Sequence, residues 1–154
     1  MKEQRRGRKI AMSPQELDRF LGEEHTCRVA TVKSDGSPHV TPLWFVWDGE
    51  SLWLHTLVKS QRWTDLERDP RVAVIVDAGV GYEELRGAEL NGRVERVGEI
   101  PRTGQPNEAL TKVESLFGLK YRGSPTIAYD GKHAWLRLSP EKTVTWDFRK
   151  IPPR

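Results

Sequence analysis

The chain has little cysteine and no long apolar run. Cys27 is the one cysteine among 154 residues, which excludes an internal disulfide and a cysteine-based zinc cluster because both need at least two thiols. Cys27 lies in an alternating apolar and polar run, where we expect it to pack. The longest apolar runs, such as Val72 to Val76, are far too short to cross a bilayer. No apolar stretch with a cleavage site follows the basic N-terminus, so we expect a cytoplasmic protein with no membrane partner.

Motifs of hydrolytic, nucleotide and metal chemistry are also lacking. The four histidines, at positions 25, 39, 55 and 133, show no His-x-x-x-His or His-Glu-x-x-His spacing, so no metal site is expected. The sequence contains no Gly-x-Ser-x-Gly, no Walker loop and no Gly-x-Gly-x-x-Gly between a strand and a helix. Serine hydrolases and Rossmann-type dehydrogenases are therefore set aside.

What is present indicates one globular domain. With 36% hydrophobic and 31% charged residues, the chain can form a single modest core. The formal net charge is only +3, and the first nine residues hold five bases (Lys2, Arg5, Arg6, Arg8, Lys9) against one Glu. We predict a basic N-terminal arm over 1–12, a solvated tail, and a single domain over 13–150. We do not expect a nucleic-acid partner.

Turn and cap residues predict a mainly β protein with small helices. Ser13-Pro14 predicts a helix over about 14–23, and Asp35-Gly36 and Asp48-Gly49 predict hairpins between strands near 26–33, 38–47 and 51–58. A short helix over 61–68, strands over 72–77 and 84–97, a helix over 107–117 and two final strands divided at Ser139-Pro140 follow. The count favours a closed, six-stranded antiparallel β-barrel, since closure removes exposed sheet edges.

The charges of the short helix run against its dipole. Lys59 and Arg62 lie at its start, and Glu67 and Asp69 lie at its end, whereas a helix N-terminus favours anions. Ser60 is a good N-cap. Free N–H groups, a hydroxyl and two cations together would suit a phosphate. The alternative is that Ser60 only caps the helix and the bases are solvated or pair with Asp65 or Glu67, and the spacing alone does not decide.

A second unusual feature is Pro42 within an otherwise convincing strand. Proline cannot donate to a sheet ladder, so it marks an edge, a bulge or a place where something else approaches the backbone. Trp44, Phe45 and Trp47 follow it, and six tryptophans are many for this length. Packing in the core or in a dimer interface is the simpler explanation for any one of these rings.

Taken in order along the chain, these segments resemble the pyridoxamine 5'-phosphate oxidase-like split-barrel flavoproteins. The resemblance extends from Leu17 to Trp146. It implies an FMN-binding type of split barrel in which the flavin ring lies along the strand holding Thr41 to Phe45. The family's Tyr-Thr-x-x-x-Ser-Arg-Lys pattern, which holds the cofactor phosphate, is similar to 55–62 here. Gln61 replaces the family's Arg, and Lys59 is the expected compensation.

The resemblance implies a cofactor-binding set, while the catalytic residues stay unassigned. The set is Thr41, Pro42, Leu43, Trp44, His55, Thr56, Lys59, Ser60, Arg62, Trp63, Arg86 and Trp146. We expect the deazaflavin F420, with FMN as the alternative, bound at the interface of a homodimer, and hydride transfer to a small organic acceptor. Bases of the arm, or Arg86 and Arg93, would suit the polyanionic tail of F420.

Two further expectations concern the reaction. The oxidase carries an Arg-x-His pair for its substrate, and this chain ends Arg149-Lys150-Ile151 without that histidine, so it is not expected to be a true pyridoxamine phosphate oxidase. Tyr82, Tyr121 and His55 are the visible proton donors. The alternative function is a non-catalytic protein that holds FMN, haem or another flat ligand on the same scaffold.

Overall fold

The fold is built on one antiparallel sheet. The computed structural model describes residues 2–5 and 7–153, so Met1, Arg154 and Arg6 of the predicted arm lie outside the described residues. Its strands are β1 (Cys27–Val32), β2 (Pro38–Leu43), β3 (Phe45–Trp47), β4 (Leu52–Leu57), β5 (Arg71–Ala78), β6 (Arg86–Val97) and β7 (His133–Asp147). Its α-helices are α1 (Pro14–Glu23), α2 (Gln61–Arg68) and α3 (Glu108–Arg122). None of the helices in the described ranges is long and apolar enough to cross a membrane.

The sheet curls because its two edges are neighbours in sequence. The strand order is β2-β1-β5-β6-β7-β4-β3, and each adjacent pair is antiparallel. β2 and β3 stand at opposite edges of that order, yet the single residue Trp44 connects them. The result is a mainly β split barrel, which confirms the predicted fold class, with seven described strands instead of six.

The division into strands differs from the prediction at two places, and both lie near a proline. The predicted strand over 38–47 is divided at Trp44, two residues after Pro42, into β2 and β3. The two predicted final strands are one continuous strand, β7. Gly92 pairs with Pro140 and Asn91 pairs with Lys142, so Glu141 is an extra residue and forms a bulge. A bulge accommodates Pro140, which has no N–H for the ladder, without ending the strand.

The helices begin where side-chain caps are available. Ser13 accepts the Glu16 N–H at 3.2 Å and Ser60 accepts the Trp63 N–H at 3.1 Å, so α1 and α2 have the predicted bounds. Asn107 caps α3, and Gly123, with a φ of 69°, ends it in the left-handed conformation that glycine favours. α3 therefore extends five residues beyond the predicted end at 117.

The core has an interior cluster and an outer cluster. The interior cluster fills the barrel with Cys27, Val29, Phe45, Leu52, Leu54, Trp63, Val74 and Leu90 among others, and it confirms that Cys27 packs. The outer cluster packs α3 on the other face of β3, β4 and β7 through Val46, Trp53, Val113, Phe117 and Trp135. Alternation along β4 explains the division, since Leu54 and Thr56 face the interior while Trp53 and His55 face α3.

The described part of the basic arm lies along β7. The Lys2 N–H donates to the Glu141 carbonyl at 3.0 Å, and Gln4 exchanges hydrogen bonds with the backbone of Thr145 at 2.9 and 3.0 Å. Met12 donates its N–H to the Thr145 hydroxyl at 2.9 Å. Backbone and side-chain hydrogen bonds thus hold the described part of the arm along one strand, whereas a solvated tail was predicted.

Candidate functional site

A buried guanidinium connects α2 to two strands. Arg62 is only 7% exposed, and its Nε donates to Thr56 Oγ1 at 3.0 Å while its Nη1 donates to Thr41 Oγ1 at 2.5 Å. Thr41 lies on β2 and Thr56 on β4, so three predicted site residues from three elements meet at one point. We call Thr41, Thr56 and Arg62 the arginine cluster.

The protein supplies no counter-charge to this cation. Within the described ranges, no carboxylate forms a salt bridge with Arg62. Asp65, one turn further along α2, is engaged elsewhere by the Thr31 hydroxyl and the Gln61 amide, both at 2.7 Å. Burial lowers the pKa of Arg62, as expected for a cation removed from water. A buried charge without a partner is costly, so the cluster is suited to an anion that comes from outside the chain.

The start of α2 carries the rest of the predicted phosphate segment. The Ser60 hydroxyl caps Trp63 and donates to the Leu57 carbonyl at 2.7 Å, so both of its hydrogen-bonding roles are used within the turn. Lys59 is exposed beside it. Gln61 turns away toward Asp65 and leaves the family's second cationic position unfilled. The first turn of α2 contains no acidic residue, and Ser60 occupies the Trp63 N–H, so the Gln61 and Arg62 N–H groups are those left for an anion.

The acidic end of α2 is neutralised locally. Asp69 binds Arg71 at 2.6 Å, and Glu67 lies 3.6 Å from Arg96 on β6. Arg68 adds a cation to the last turn of the helix, where the dipole favours it. Side-chain charge therefore opposes the helix dipole only at the start of α2, next to the arginine cluster.

A small cavity opens on the side of β4 that faces α3. It has a volume of about 250 Å³, and its lining includes Leu43, Trp44, His55, Phe117 and His133. Leu43 is two residues beyond Thr41 on β2, and His55 immediately precedes Thr56 on β4. Three of the predicted site residues thus line this cavity instead of the cluster. We call it the histidine cavity.

Aromatic stacking shapes the histidine cavity. The His55 and His133 rings stack with centroids 4.5 Å apart, and His55 also lies 4.8 Å from the Phe117 ring. Trp44 stacks on Tyr121 at 4.3 Å. The Tyr121 hydroxyl accepts the Phe45 N–H at 3.0 Å and donates to the His25 carbonyl at 2.7 Å, which fixes the chain at the junction of β2 and β3.

The two histidines have different electrostatic surroundings. Burial, and then the neighbouring His133 imidazole, lowers the pKa of His55 to about 4, so His55 is neutral at pH 7. His133 Nδ1 lies 2.5 Å from Asp130 Oδ2. Burial would raise the pKa of Asp130, but N–H donation from Lys132 and the bond to His133 lower it to about 2. Asp130 is therefore an ionised acceptor that orients His133.

The remaining predicted residues lie elsewhere. Pro42 is exposed on the opposite face of β2 from Thr41 and Leu43, and Trp63 is buried in the interior cluster. Arg86 lies over the Phe20 ring at 5.1 Å. Trp146 lies near the end of β7 opposite Gly87, where a Cβ would stand 2.4 Å from its ring. Among the described residues, no side-chain hydrogen bond joins any of these four to the arginine cluster.

Sequence reasoning did not find His133, Asp130 or Phe117. His133 meets His55 only because β4 pairs with β7, with Leu57 opposite His133. A register between distant strands is not visible in a spacing motif. The usable signal was Asp130-Gly131 immediately before a strand, since an Asp in such a turn accepts backbone N–H groups. No group of three or more His, Cys, Asp or Glu side chains that could hold a metal occurs in the part of the chain described.

The family follows from a match over most of the chain. Residues 13–147 match the family model described as pyridoxamine 5'-phosphate oxidase. The chain belongs to the pyridoxamine 5'-phosphate oxidase family. No curated protein sequence is significantly similar to the chain.

Solved structures similar to the chain include a hypothetical protein, a reductase and a haem storage protein. The chain is 33% identical to the conserved hypothetical protein Rv2991 from Mycobacterium tuberculosis, with 99% of this chain and 95% of that chain covered and a TM-score of 0.79. It is 26% identical to an F420 reductase, with 82% and 94% covered and a TM-score of 0.63. The haem storage protein HutZ from Vibrio cholerae is 18% identical, with 86% and 93% covered and a TM-score of 0.66, which shows a shared fold alone.

Proposed function

We propose that the protein is an oxidoreductase that binds F420, or alternatively FMN, and transfers hydride between that cofactor and a small organic acceptor. The observation that carries the proposal is Arg62, a buried guanidinium whose only described partners are two threonine hydroxyls. Both cofactors contain a ribityl phosphate that would supply the missing negative charge.

The chain's own residues have three tasks in this proposal. Arg62, with the free N–H groups at the start of α2 and Lys59 at the rim, binds the phosphate. Thr41 and Thr56 hold the guanidinium in place through their hydroxyls. Leu43 and Trp44 follow Thr41 along the strand and offer apolar surface to a flat ring. The cofactor would supply the hydride chemistry, and the protein positions it and excludes water.

The choice of F420 before FMN rests on two supports. One is the likeness to a structure described as an F420 reductase, at 26% identity. The other is the distribution of bases, since Arg93 is exposed on β6 and the arm contributes further cations along β7. These cations would attract the polyanionic tail that FMN lacks.

We also propose a homodimer in the cytoplasm. Val40 is 64% exposed on the outer face of edge strand β2, and Trp44 next to the histidine cavity is 45% exposed. Apolar groups of this kind, beside the proposed site, suit burial against a second copy. In a dimer, Trp146 and Arg86 of one copy could contact the cofactor that the other copy's arginine cluster binds.

Fluorescence and absorbance measurements test the proposal. The purified protein is titrated with F420 and, separately, with FMN, and turnover is then followed with chemical and enzymatic electron donors. Quenched cofactor fluorescence together with cofactor reduction or oxidation supports the oxidoreductase. Binding without redox change under any donor indicates the non-catalytic flat-ligand protein. If neither cofactor binds, the proposed function is wrong, and a haem titration then tests the remaining flat ligand.

A further inference from the structure

The hydride-transfer proposal does not use His133 and Asp130. Asp130 accepts the backbone N–H groups of Lys132 and His133 at 2.9 and 3.1 Å, and it holds the His133 ring through Nδ1. The pair therefore has a fixed geometry at the start of β7. Both side chains line the histidine cavity.

The direction of the Asp130 contact determines what His133 offers to a ligand. An ionised carboxylate only accepts, so Nδ1 of the neutral imidazole carries the proton. Nε2 is then left with its lone pair, and it has no partner among the described residues. A carboxylate-oriented imidazole with a free Nε2 is the arrangement that accepts a proton from a hydroxyl.

The other groups at the cavity define the ligand's shape and charge. Trp44 and Phe117 provide aromatic faces, and His55 is a further flat, neutral ring. Arg122 and Asp130 are the charged groups in the lining. Glu114 lies outside the lining, and its charge opposes the lowering of the His55 pKa. A volume of about 250 Å³ lies below the roughly 300–1,000 Å³ typical of drug-sized ligands. It suits one ring and is too small for a three-ring flavin with its ribityl phosphate.

We propose that the histidine cavity binds a single-ring compound with an acidic hydroxyl, a phenol or a stabilised enol, and that His133 accepts the hydroxyl proton. The ring lies against Phe117 and His55, and it leaves the exposed part of Trp44 to the cofactor. The O–H bond breaks with its electron pair left on oxygen, and the proton passes to Nε2. The resulting imidazolium faces the Asp130 carboxylate, and Arg122 adds positive charge near the anionic oxygen.

This inference names a class for the second substrate of the proposed oxidoreductase. Only the word substrate rests on the proposed function. Binding and proton transfer need no cofactor, so they are measured separately. A failure of F420 and FMN to bind would leave them unaffected.

The test uses 4-nitrophenol, whose phenol and phenolate forms have different visible spectra. At a pH where the free probe is mostly protonated, binding to the protein alone is expected to produce the phenolate band. Asp130→Asn is expected to lower the bound phenolate-to-phenol ratio at least about tenfold, one pKa unit, while the probe still binds. His133→Gln is expected to abolish the band. Asp35→Asn is the matched control, since Asp35 also caps an exposed turn, at Ser37.

Two further measurements keep folding and cofactor effects apart. 4-Nitroanisole has the same ring and no hydroxyl proton, so equal affinity for it in every variant shows that the cavity is intact. Saturating F420 or FMN is expected to leave 4-nitrophenol bound. The proposal is overturned if the wild-type protein does not bind the probe, if it binds the probe without ionising it, or if either cofactor displaces the probe competitively.

Discussion

Replacing Glu114 with Ala is expected to destabilise the protein severely, because this carboxylate accepts from three side chains under α3. Arg102 donates to it twice, at 3.0 and 2.9 Å, and Trp135 Nε1 and the Tyr129 hydroxyl each donate at 3.1 Å. Arg102 is 4% exposed and is also bound by Glu99. The network joins α3, the loop before it and β7 next to the histidine cavity.

The magnitude follows from what the substitution leaves behind. Removing one partner of a buried ion pair costs about 3–5 kcal/mol, and the lower value applies here because Glu99 still pairs with Arg102. At about 2–4 °C per kcal/mol for a chain of this size, a loss of about 3 kcal/mol lowers Tm by about 6–12 °C. Replacing both members, with Glu114→Leu and Arg102→Met together, removes the buried guanidinium, while Glu99 keeps its donors from Thr103 and Gln105, so part of the loss is expected to be recovered.

Urea unfolding followed by circular dichroism measures these changes. Glu108→Ala is the control on the same helix, since Glu108 is exposed in its first turn and should cost less than about 1 kcal/mol. A cost for Glu114→Ala equal to that of the control would refute the reasoning, as would a double variant less stable than Glu114→Ala alone.

Three other predictions concern packing, assembly and pH. Gly87→Ala is expected to lower the free energy of unfolding by about 1–3 kcal/mol, because its Cβ would stand 2.4 Å from the Trp146 ring. Adding Trp146→Leu to the same chain should relieve the clash. Urea unfolding that Gly87→Ala leaves unchanged would contradict this prediction. Val40→Glu, at a 64% exposed position, is expected to convert a dimer to a monomer in sedimentation velocity, and a monomeric wild type would refute the dimer. The pKa of His55 is lowered to about 4, so the unfolded state binds the proton more readily than the folded state. The free energy of unfolding is therefore expected to fall by up to about 3 kcal/mol as the pH drops from 6.5 toward 4. His55→Gln should remove this pH dependence in urea unfolding.

Local signals in the sequence predicted the helices and turns well. Ser13-Pro14 and Ser60 give α1 and α2 their predicted bounds, since each serine hydroxyl accepts an N–H of the first turn. The strand boundaries were predicted less well. Pro140 was expected to divide the last strand, but a bulge at Glu141 absorbs the missing N–H, and whether a bulge forms depends on the neighbouring strand.

The site was predictable only in part, for a similar reason. The resemblance predicted Thr41, Thr56 and Arg62 as site residues, and the structure shows that these three side chains meet. His133 could not be found because its relation to His55 exists only in the register of β4 with β7. Trp146, which the resemblance also implied, lies opposite Gly87 in the register of β6 with β7.

The binding of a flavin-type cofactor's phosphate by Arg62 can be measured directly. Calorimetric titration can compare each cofactor with its analogue that lacks the phosphate: FMN with riboflavin, and F420 with its deazaflavin–ribitol fragment. The wild-type protein and Arg62→Met are titrated side by side, with Arg96→Met as the exposed-arginine control.

A charge-assisted contact contributes about 1.5–3 kcal/mol, which corresponds to about 10- to 150-fold in Kd. The account predicts that wild-type protein and Arg96→Met prefer the phosphorylated ligand by at least about tenfold, and that Arg62→Met loses this preference while its affinity for the analogue is unchanged. An equal preference in Arg62→Met and wild type would contradict the claim.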